Sequence, residues 1–390
     1  MIKFITNGNI VLPDRVEYGT LVIEDGVIKD SFYRGEIPEN ADIVDADGGY
    51  VLAGFIDTHL HGGGGFDFMD GTVEAFEQIS KTHMQHGTTS LMPTTVSCSK
   101  ESMKSVFDTY RKAASLKTGA NLLGVHLEGP FIAMESKGAQ NPMYIRNPSK
   151  YEVDELLECG GDIIARCSCA PELDGTDYLA EKMSEKGIWL SVAHSNAVCG
   201  DIIGAYEKGF AHVTHMYSGT TTFRKIGQTV YVGIVEAAYL IDGMNVELIG
   251  DGKHVPKELI QMVLKVKGDD KLSLVTDAMR AAGCDVTESY LGEIKPENRV
   301  IIEDGVAKLP DRSFYAGSIA TMDIAFRNAV DNAGLDLSTA SKLVSANPAR
   351  LSGAKNKGTI ENGKDADIVI MDKNKAVSRV FVGGEERFCK

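Results

Sequence analysis

The sequence predicts an α/β fold, a (β/α)8 barrel of the TIM type that carries a small β-sandwich built from both chain ends. Three observations lead there. Through the middle of the 390-residue chain, apolar stretches bounded by Gly or Pro alternate with helical patterns, and eight such stretches can be counted. Continuous apolar strands separated by helices belong to a parallel sheet covered on both faces, and eight units in ~250 or more residues match a closed barrel better than the rival doubly wound open sheet. The two ends of the chain differ from the middle and resemble each other, as short strands joined by tight turns.

Taken in order, the N-terminal end contains "LVIEDGVIKD", where Asp25-Gly26 sits between apolar alternations, a strong hairpin signal. The barrel strands are read at 55–60, 89–92, 122–127, 163–169, 188–193, 211–214, 246–249 and 272–276. Segment 299–314, with Asp304-Gly305 as its turn, reads as a hairpin inserted after the eighth strand. The C-terminal end repeats the strand-and-turn texture in "GTIENGKDADIVIMD" and "SRVFVGGEERF", with turns at Asn362-Gly363 and Gly383-Gly384. The expected division assigns residues 1–53 and 351–390 to the β-sandwich and 54–350 to the barrel.

Composition excludes several classes of function. Forty basic against 55 acidic residues leave a net charge of −15, which argues against nucleic acid or an anionic membrane as a partner. Hydrophobic residues at 43% and charged residues at 24% are ordinary globular usage, and no apolar run approaches the ~20 residues of a membrane span. The N-terminus lacks the pattern of a secretory signal, so a cytoplasmic location is expected. The seven cysteines are scattered, and Cys167-x-Cys169 has no second pair to complete a zinc or disulfide framework. Reduced, mostly buried thiols are the expectation.

The chemistry concentrates at strand ends. His59 and His61 in "GFIDTHLHGGGG" are two residues apart at the end of the first strand, so both side chains share a face and can converge on one ion. The glycines that follow suit a loop at the barrel mouth. Glu128 ends the third strand, His194 the fifth, His215 the sixth and Asp277 the eighth. A barrel places its active site at those ends, and an unpaired buried charge there would cost several kcal/mol. Imidazole and carboxylate from five strands point to a divalent metal, with zinc or iron suited at bonds of ~2.0 to 2.2 Å and manganese or cobalt also accepted.

The remaining histidines carry weaker expectations. His83 and His86 lie near a helix C-terminus and read as structural. His126 and His212 point inward below the ligand level and read as supports for the ligands rather than ligands. His254, in "GDGKHVP" after the seventh strand, stands at the end where substrate would bind.

These motifs, with "HGTTSLMPT", "GVHLEGPF", "KGAQNP", "VAHS", "HVTHMY", "VTDAM", "AGS" and "SANPAR", make the chain resemble the N-acetylglucosamine-6-phosphate deacetylases of the amidohydrolase superfamily nearly end to end. The resemblance implies the same barrel and sandwich, hydrolysis of an acetamido group in amino-sugar catabolism, and a homodimer in which a residue of one subunit reaches its neighbour's phosphate site. It makes Glu128, His194 and His215 ligands of a main metal, with His59 and His61 completing a second site, so that one or two divalent ions per subunit are implied, Glu128 being the bridging carboxylate where two are held. "IIARCSCAP" offers no lysine for carbamylation on the fourth strand, which favours the deacetylase branch over dihydroorotase-like or hydantoinase-like enzymes. Asp277 is the implied acid and base, taking a proton from metal-activated water and returning it to the departing amine.

Two departures from the family pattern bear on substrate. Where the family has a histidine that hydrogen-bonds the substrate carbonyl, this chain has Gln140, whose amide can donate the same bond but cannot become cationic. Ser218 and Gly219 replace an Asn-Ala pair, and the following loop reads "TTTFRKIGQ". Arg224, with His254, is the candidate phosphate anchor, because guanidinium can bind two phosphate oxygens; Lys225 or Lys253 could share that role. The altered 218–228 loop leaves N-acetylgalactosamine 6-phosphate or another N-acyl compound as an alternative substrate. A non-catalytic scaffold is a distant third reading, opposed by an intact and costly ligand cluster.

Overall fold

In the computed structural model, which describes residues 2–390, the eight barrel strands are β1 (Phe55–Leu60), β2 (Thr88–Pro93), β3 (Val125–Glu128), β4 (Ile164–Cys169), β5 (Trp189–Val192), β6 (Phe210–Val213), β7 (Asn245–Ile249) and β8 (Leu272–Val275). Their residues are buried almost throughout, because helices cover the outer face and side chains fill the inner one. Parallel ladders join β1 to β2 and run without a break from β3 to β8. Single bridges, Thr94 to His126 and Leu60 to Ala278, close the two seams. Closure removes the exposed edges an open sheet would leave.

One expected strand is divided. The stretch read at 122–127 is interrupted at Gly124, whose φ of +105° takes the chain out of the extended region. A Cβ at that position would lie 2.5 Å from the Ala165 Cβ, so glycine lets the backbone pass close to β4. Asn121 and Leu122 pair with β2 before the break, and β3 starts after it.

Three of the covering helices start on side-chain caps. Thr72, Ser99 and Ser149 accept backbone N–H bonds at the starts of Val73–Gln85, Lys100–Ala113 and Lys150–Gly160. Their apolar stripes join the barrel strands in one core that includes Phe76, Phe107, Leu179 and Phe326.

Both chain ends share one eight-stranded sheet. Ile2–Val11 pairs antiparallel with Val16–Glu24 and, along its other edge, parallel with Asp42–Asp45 and Tyr50–Ala53. Tyr50–Ala53 then pairs antiparallel with the C-terminal Ile368–Met371. Strand alternation decides which core each residue joins: Val51, Ala53, Ile368 and Ile370 pack with Ile5, Leu21 and Phe381 in a core of this unit, while Leu52, Val369 and Met371 face the barrel core. Asp25 and Gly26 both have positive φ in the hairpin expected there.

The segment after β8 is larger than the predicted hairpin. Glu288–Tyr290, Arg299–Glu303 and Val306–Lys308 form a three-stranded antiparallel sheet, with Asp304-Gly305 turning at φ of 56° and 77°. It packs on Met279, Ala281 and Ala316 and carries Phe314 and Tyr315 to the barrel mouth. All seven cysteines are free. Among the described residues no helix is long and apolar enough to cross a membrane.

Candidate active site at the barrel mouth

The strand ends converge on Glu128. This carboxylate closes β3 and is 2% exposed. His215 Nε2 lies 2.8 Å from its Oε1, with His194 Nε2 at 3.3 Å and His59 Nε2 at 3.4 Å from the same oxygen; His61 Nε2 is 3.4 Å from Oε2. Asp277 Oδ1 stands 3.1 Å from His61 Nε2 and 3.5 Å from His59 Nε2. The backbone turns sharply to bring three of these groups inward: His194, His215 and Asp277, each two residues past its strand, have φ of 43°, 28° and 50°. Such conformations cost ~1–3 kcal/mol each in a non-glycine residue and cluster where geometry is imposed for function. At Asp277 the turn is held on both sides, its N–H donating to the His59 carbonyl at 2.9 Å and its carbonyl accepting from Ser318 at 2.7 Å.

The far nitrogens of three of the four imidazoles are committed. Nδ1 of His59 donates to Glu247 Oε1 at 2.8 Å, Nδ1 of His194 to the Ser136 carbonyl at 2.8 Å, and Nδ1 of His215 to the Ser218 carbonyl at 3.1 Å. That fixes the tautomer and leaves each Nε2 lone pair facing the carboxylates. His59 Nε2, fully buried, has no hydrogen-bond partner among the described residues. Lone pairs aimed at carboxylate oxygens are satisfied by a cation, and two overlapping groups offer one: His59, His61 and Glu128, and Glu128, His194 and His215, with the ligand atoms of each group within 4.8 Å of one another.

The electrostatics favour positive charge at this point. Burial disfavours charge on His59, yet Glu128, Glu247 and Asp277 hold its imidazole up to about 9. Burial likewise opposes ionisation of Glu128, but His59, His194 and His215 keep it well below the usual carboxylate range. Asp277 is also lowered, burial being outweighed by His61 and His59. A divalent cation held by these residues would answer the same field while leaving the imidazoles neutral.

The amidohydrolase family pattern matches residues 50–387. The chain belongs to the amidohydrolase family. Among curated relatives of this amidohydrolase, the N-acetylglucosamine-6-phosphate deacetylase of Lysinibacillus sphaericus is 31% identical over 90% of this chain and 88% of its own length. The N-acetylgalactosamine-6-phosphate deacetylase of Shewanella sp. is 30% identical over 98% of this chain and 94% of its own. The crystal structure of N-acetylglucosamine-6-phosphate deacetylase from Pasteurella multocida superimposes with a TM-score of 0.92 at 31% identity, covering 100% of both chains.

In this amidohydrolase a cavity of about 310 Å³ opens onto Glu128 and Asp277. Gln140, Ser218, Gly219 and His254 line it. Gln140 donates to Glu128 Oε2 at 2.8 Å while its carbonyl accepts the Ser97 N–H at 2.6 Å. Gly219 has φ of +57°, and a Cβ there would meet His194 Nδ1 at 2.6 Å, so an alanine at this position would displace the ring. His254 is oriented by Asp251, to which its Nδ1 donates at 2.7 Å.

Arg224 is not brought to this cavity. It lies on a hairpin formed by Arg224–Ile226 and Thr229–Tyr231, and its guanidinium donates to the Asn196 carbonyl at 2.6 Å. Lys225 and Lys253 are exposed, and none of the described residues lining the cavity is Lys or Arg. His83 donates to the Gly62 carbonyl at 2.9 Å, and His86 pairs with Asp323 at 3.2 Å. His126 and His212 are buried behind the ligands, bonded to Ser168 at 2.6 Å and Ser191 at 2.8 Å, and burial with nearby Arg166 holds both imidazoles well below their ordinary range.

Sequence reasoning missed Glu247 and Arg166, both fully buried behind the histidines, and the cavity wall made by Leu291, Phe314 and Tyr315. A charged residue inside an otherwise apolar strand, as in "NVELI" and "IIARCSCA", was the available signal for the first two.

Proposed function

We propose that this amidohydrolase removes the acetyl group of N-acetylglucosamine 6-phosphate, giving glucosamine 6-phosphate and acetate. The observation that carries this reading is the convergence of four histidine Nε2 atoms on Glu128 with Asp277 alongside, in a chain whose relatives bear that activity in their names. Glu128, His194 and His215 would hold the main metal, and His59 and His61 with Glu128 a second. When bound, a divalent metal activates water and polarises the acetamido carbonyl, and the nitrogen and carboxylate donors suit zinc or iron, with manganese and cobalt also compatible.

The chain's own residues do the rest. Asp277 takes the proton of the attacking water as its oxygen bonds to the carbonyl carbon, then delivers a proton to the amide nitrogen as the C–N bond breaks. Gln140 spends one N–H on Glu128 and has the other to offer the carbonyl oxygen, where negative charge develops. His254, Ser218 and Gly219 orient the sugar. Arg224 anchors the phosphate, and its position outside the cavity wall favours service from a neighbouring subunit. Exposed Phe223, Ile226, Val230 and Tyr231 around the Arg224 hairpin support the homodimer this requires.

We assign residues 54–350 to the catalytic barrel and 1–53 with 351–390 to the accessory sheet. Ile360 packing in the sheet's own core supports the second boundary. A phosphorylated substrate and seven free thiols support a cytoplasmic location. N-acetylgalactosamine 6-phosphate is the second reading, favoured by the Shewanella relative and by the Ser218-Gly219 loop beside the cavity. The test is acetate release from N-acetylglucosamine 6-phosphate: a chelator abolishes it and zinc or iron(II) restores it, whereas turnover indifferent to chelation contradicts the reading.

A further inference from the structure

We propose that Glu247 is a positioning residue that makes the His59/His61 group competent to hold a metal. This rests on the metal-dependent reading above. Glu247 stands in the middle of β7, fully buried. Its Oε1 accepts two bonds, from His59 Nδ1–H at 2.8 Å and from the His215 backbone N–H at 3.1 Å. One carboxylate oxygen thus grips a side chain of the first group and the main chain of the second, at a residue whose φ of 28° needs holding.

Arg166 fixes the other oxygen. Its Nη1 donates to Glu247 Oε2 at 2.7 Å, and its Nη2 donates to Thr214 Oγ1 at 2.8 Å. The guanidinium lies 4.5 Å from the centre of the Trp189 ring and is itself fully buried. A carboxylate that is clamped from behind and accepts from a ligand histidine is the arrangement that raises the basicity of the imidazole and sets its ring orientation.

The two groups depend on Glu247 unequally. The imidazoles of His194 and His215 are held by the Ser136 and Ser218 carbonyls, and Glu247 reaches that group through the His215 backbone N–H, a bond that a glutamine oxygen at this position can still accept. In the other group His61 Nδ1 has no hydrogen-bond partner among the described residues, so His59 is the histidine oriented from behind and Glu247 is what orients it. Removing the charge of Glu247 should therefore loosen one metal far more than the other.

The experiment is a zinc titration of the metal-stripped full-length protein against a chromophoric chelator, with bound zinc counted by elemental analysis. Wild type should bind two ions. Glu247→Gln should bind one with affinity within about threefold of wild type and the other ten- to a hundredfold more weakly, the range for lost ligand-supporting bonds. Because the single variant leaves Arg166 unpaired in the interior, Glu247→Gln/Arg166→Met, which removes both charges, is measured beside it and should show the same one-sided loss. A merely structural role would weaken both ions together or lower thermal stability with both affinities intact, and either result overturns the proposal. So does a wild type that binds a single ion. A wild type that binds none would instead remove the metal-dependent reading itself.

Discussion

Gln140 and Glu128 are joined at 2.8 Å, the amide Nε2 donating to Oε2 of the carboxylate on which four histidines converge. The Gln140 carbonyl is held in turn by the Ser97 N–H at 2.6 Å, so the amide is fixed at both ends on the wall of the cavity, with one N–H left to donate. Gln140→Ala removes this donor. Steady-state acetate release should fall ~10²–10³-fold in kcat, the scale of losing one oxyanion donor, with little change in KM. A variant within a few-fold of wild type would take Gln140 out of the reaction.

In the proposed reaction Asp277 moves the proton while the metal stays with Glu128 and the histidines. Asp277→Asn should keep its metal content by elemental analysis and lose ~10²–10⁴-fold in kcat, the usual contribution of a positioned acid and base. Loss of metal along with activity would make Asp277 a ligand first.

Arg224 lies on the hairpin beyond the cavity wall, yet the cavity lining itself offers no Lys or Arg among the described residues. Arg224→Ala should raise KM for the phosphorylated sugar about tenfold or more, corresponding to ~1.5–3 kcal/mol for a lost charged hydrogen bond, and leave the unphosphorylated sugar unaffected. Equal KM values for wild type and variant would move the anchor to another cation such as Lys253.

His83 gives the fold a pH dependence. It is fully buried, and burial takes its imidazole from an ordinary value of 6.5 to about 4, so the folded chain binds fewer protons there than the unfolded chain. The contribution is therefore complete above about pH 6.5 and is lost as pH falls towards 4, amounting to about 3 kcal/mol over that window. His83→Gln lacks it. Denaturant unfolding of both proteins should show the wild-type advantage shrinking by roughly this amount from neutral to acid pH; a constant gap would mean that His83 is not held neutral.

Much of this architecture can be read before folding because the barrel writes itself as uninterrupted apolar runs, and the site as polar residues placed where those runs stop. His59, Glu128, His194, His215 and Asp277 all announce themselves that way. Gly124 does not, since a single positive φ inside an apolar stretch leaves no mark on hydrophobic pattern. Glu247 and Arg166 stand out as charges inside apolar strands, but their pairing does not: the two strands are far apart in sequence, and only the closed barrel brings the charges to 2.7 Å. Phe314 and Tyr315 reach the cavity through the placement of a whole inserted sheet, which local pattern does not encode. Arg224 shows the converse, a residue of the right chemistry that the fold directs towards Asn196.

The most direct test of the account is acetate release by the purified, metal-analysed protein from N-acetylglucosamine 6-phosphate, its galacto counterpart and unphosphorylated N-acetylglucosamine under one set of conditions. The predicted result is a kcat/KM of at least ~10⁴ M⁻¹s⁻¹ for the gluco phosphate, well above the other two. Slow release from all three by protein that carries its metal would contradict the proposed substrate and leave the amidohydrolase site in search of another N-acyl compound.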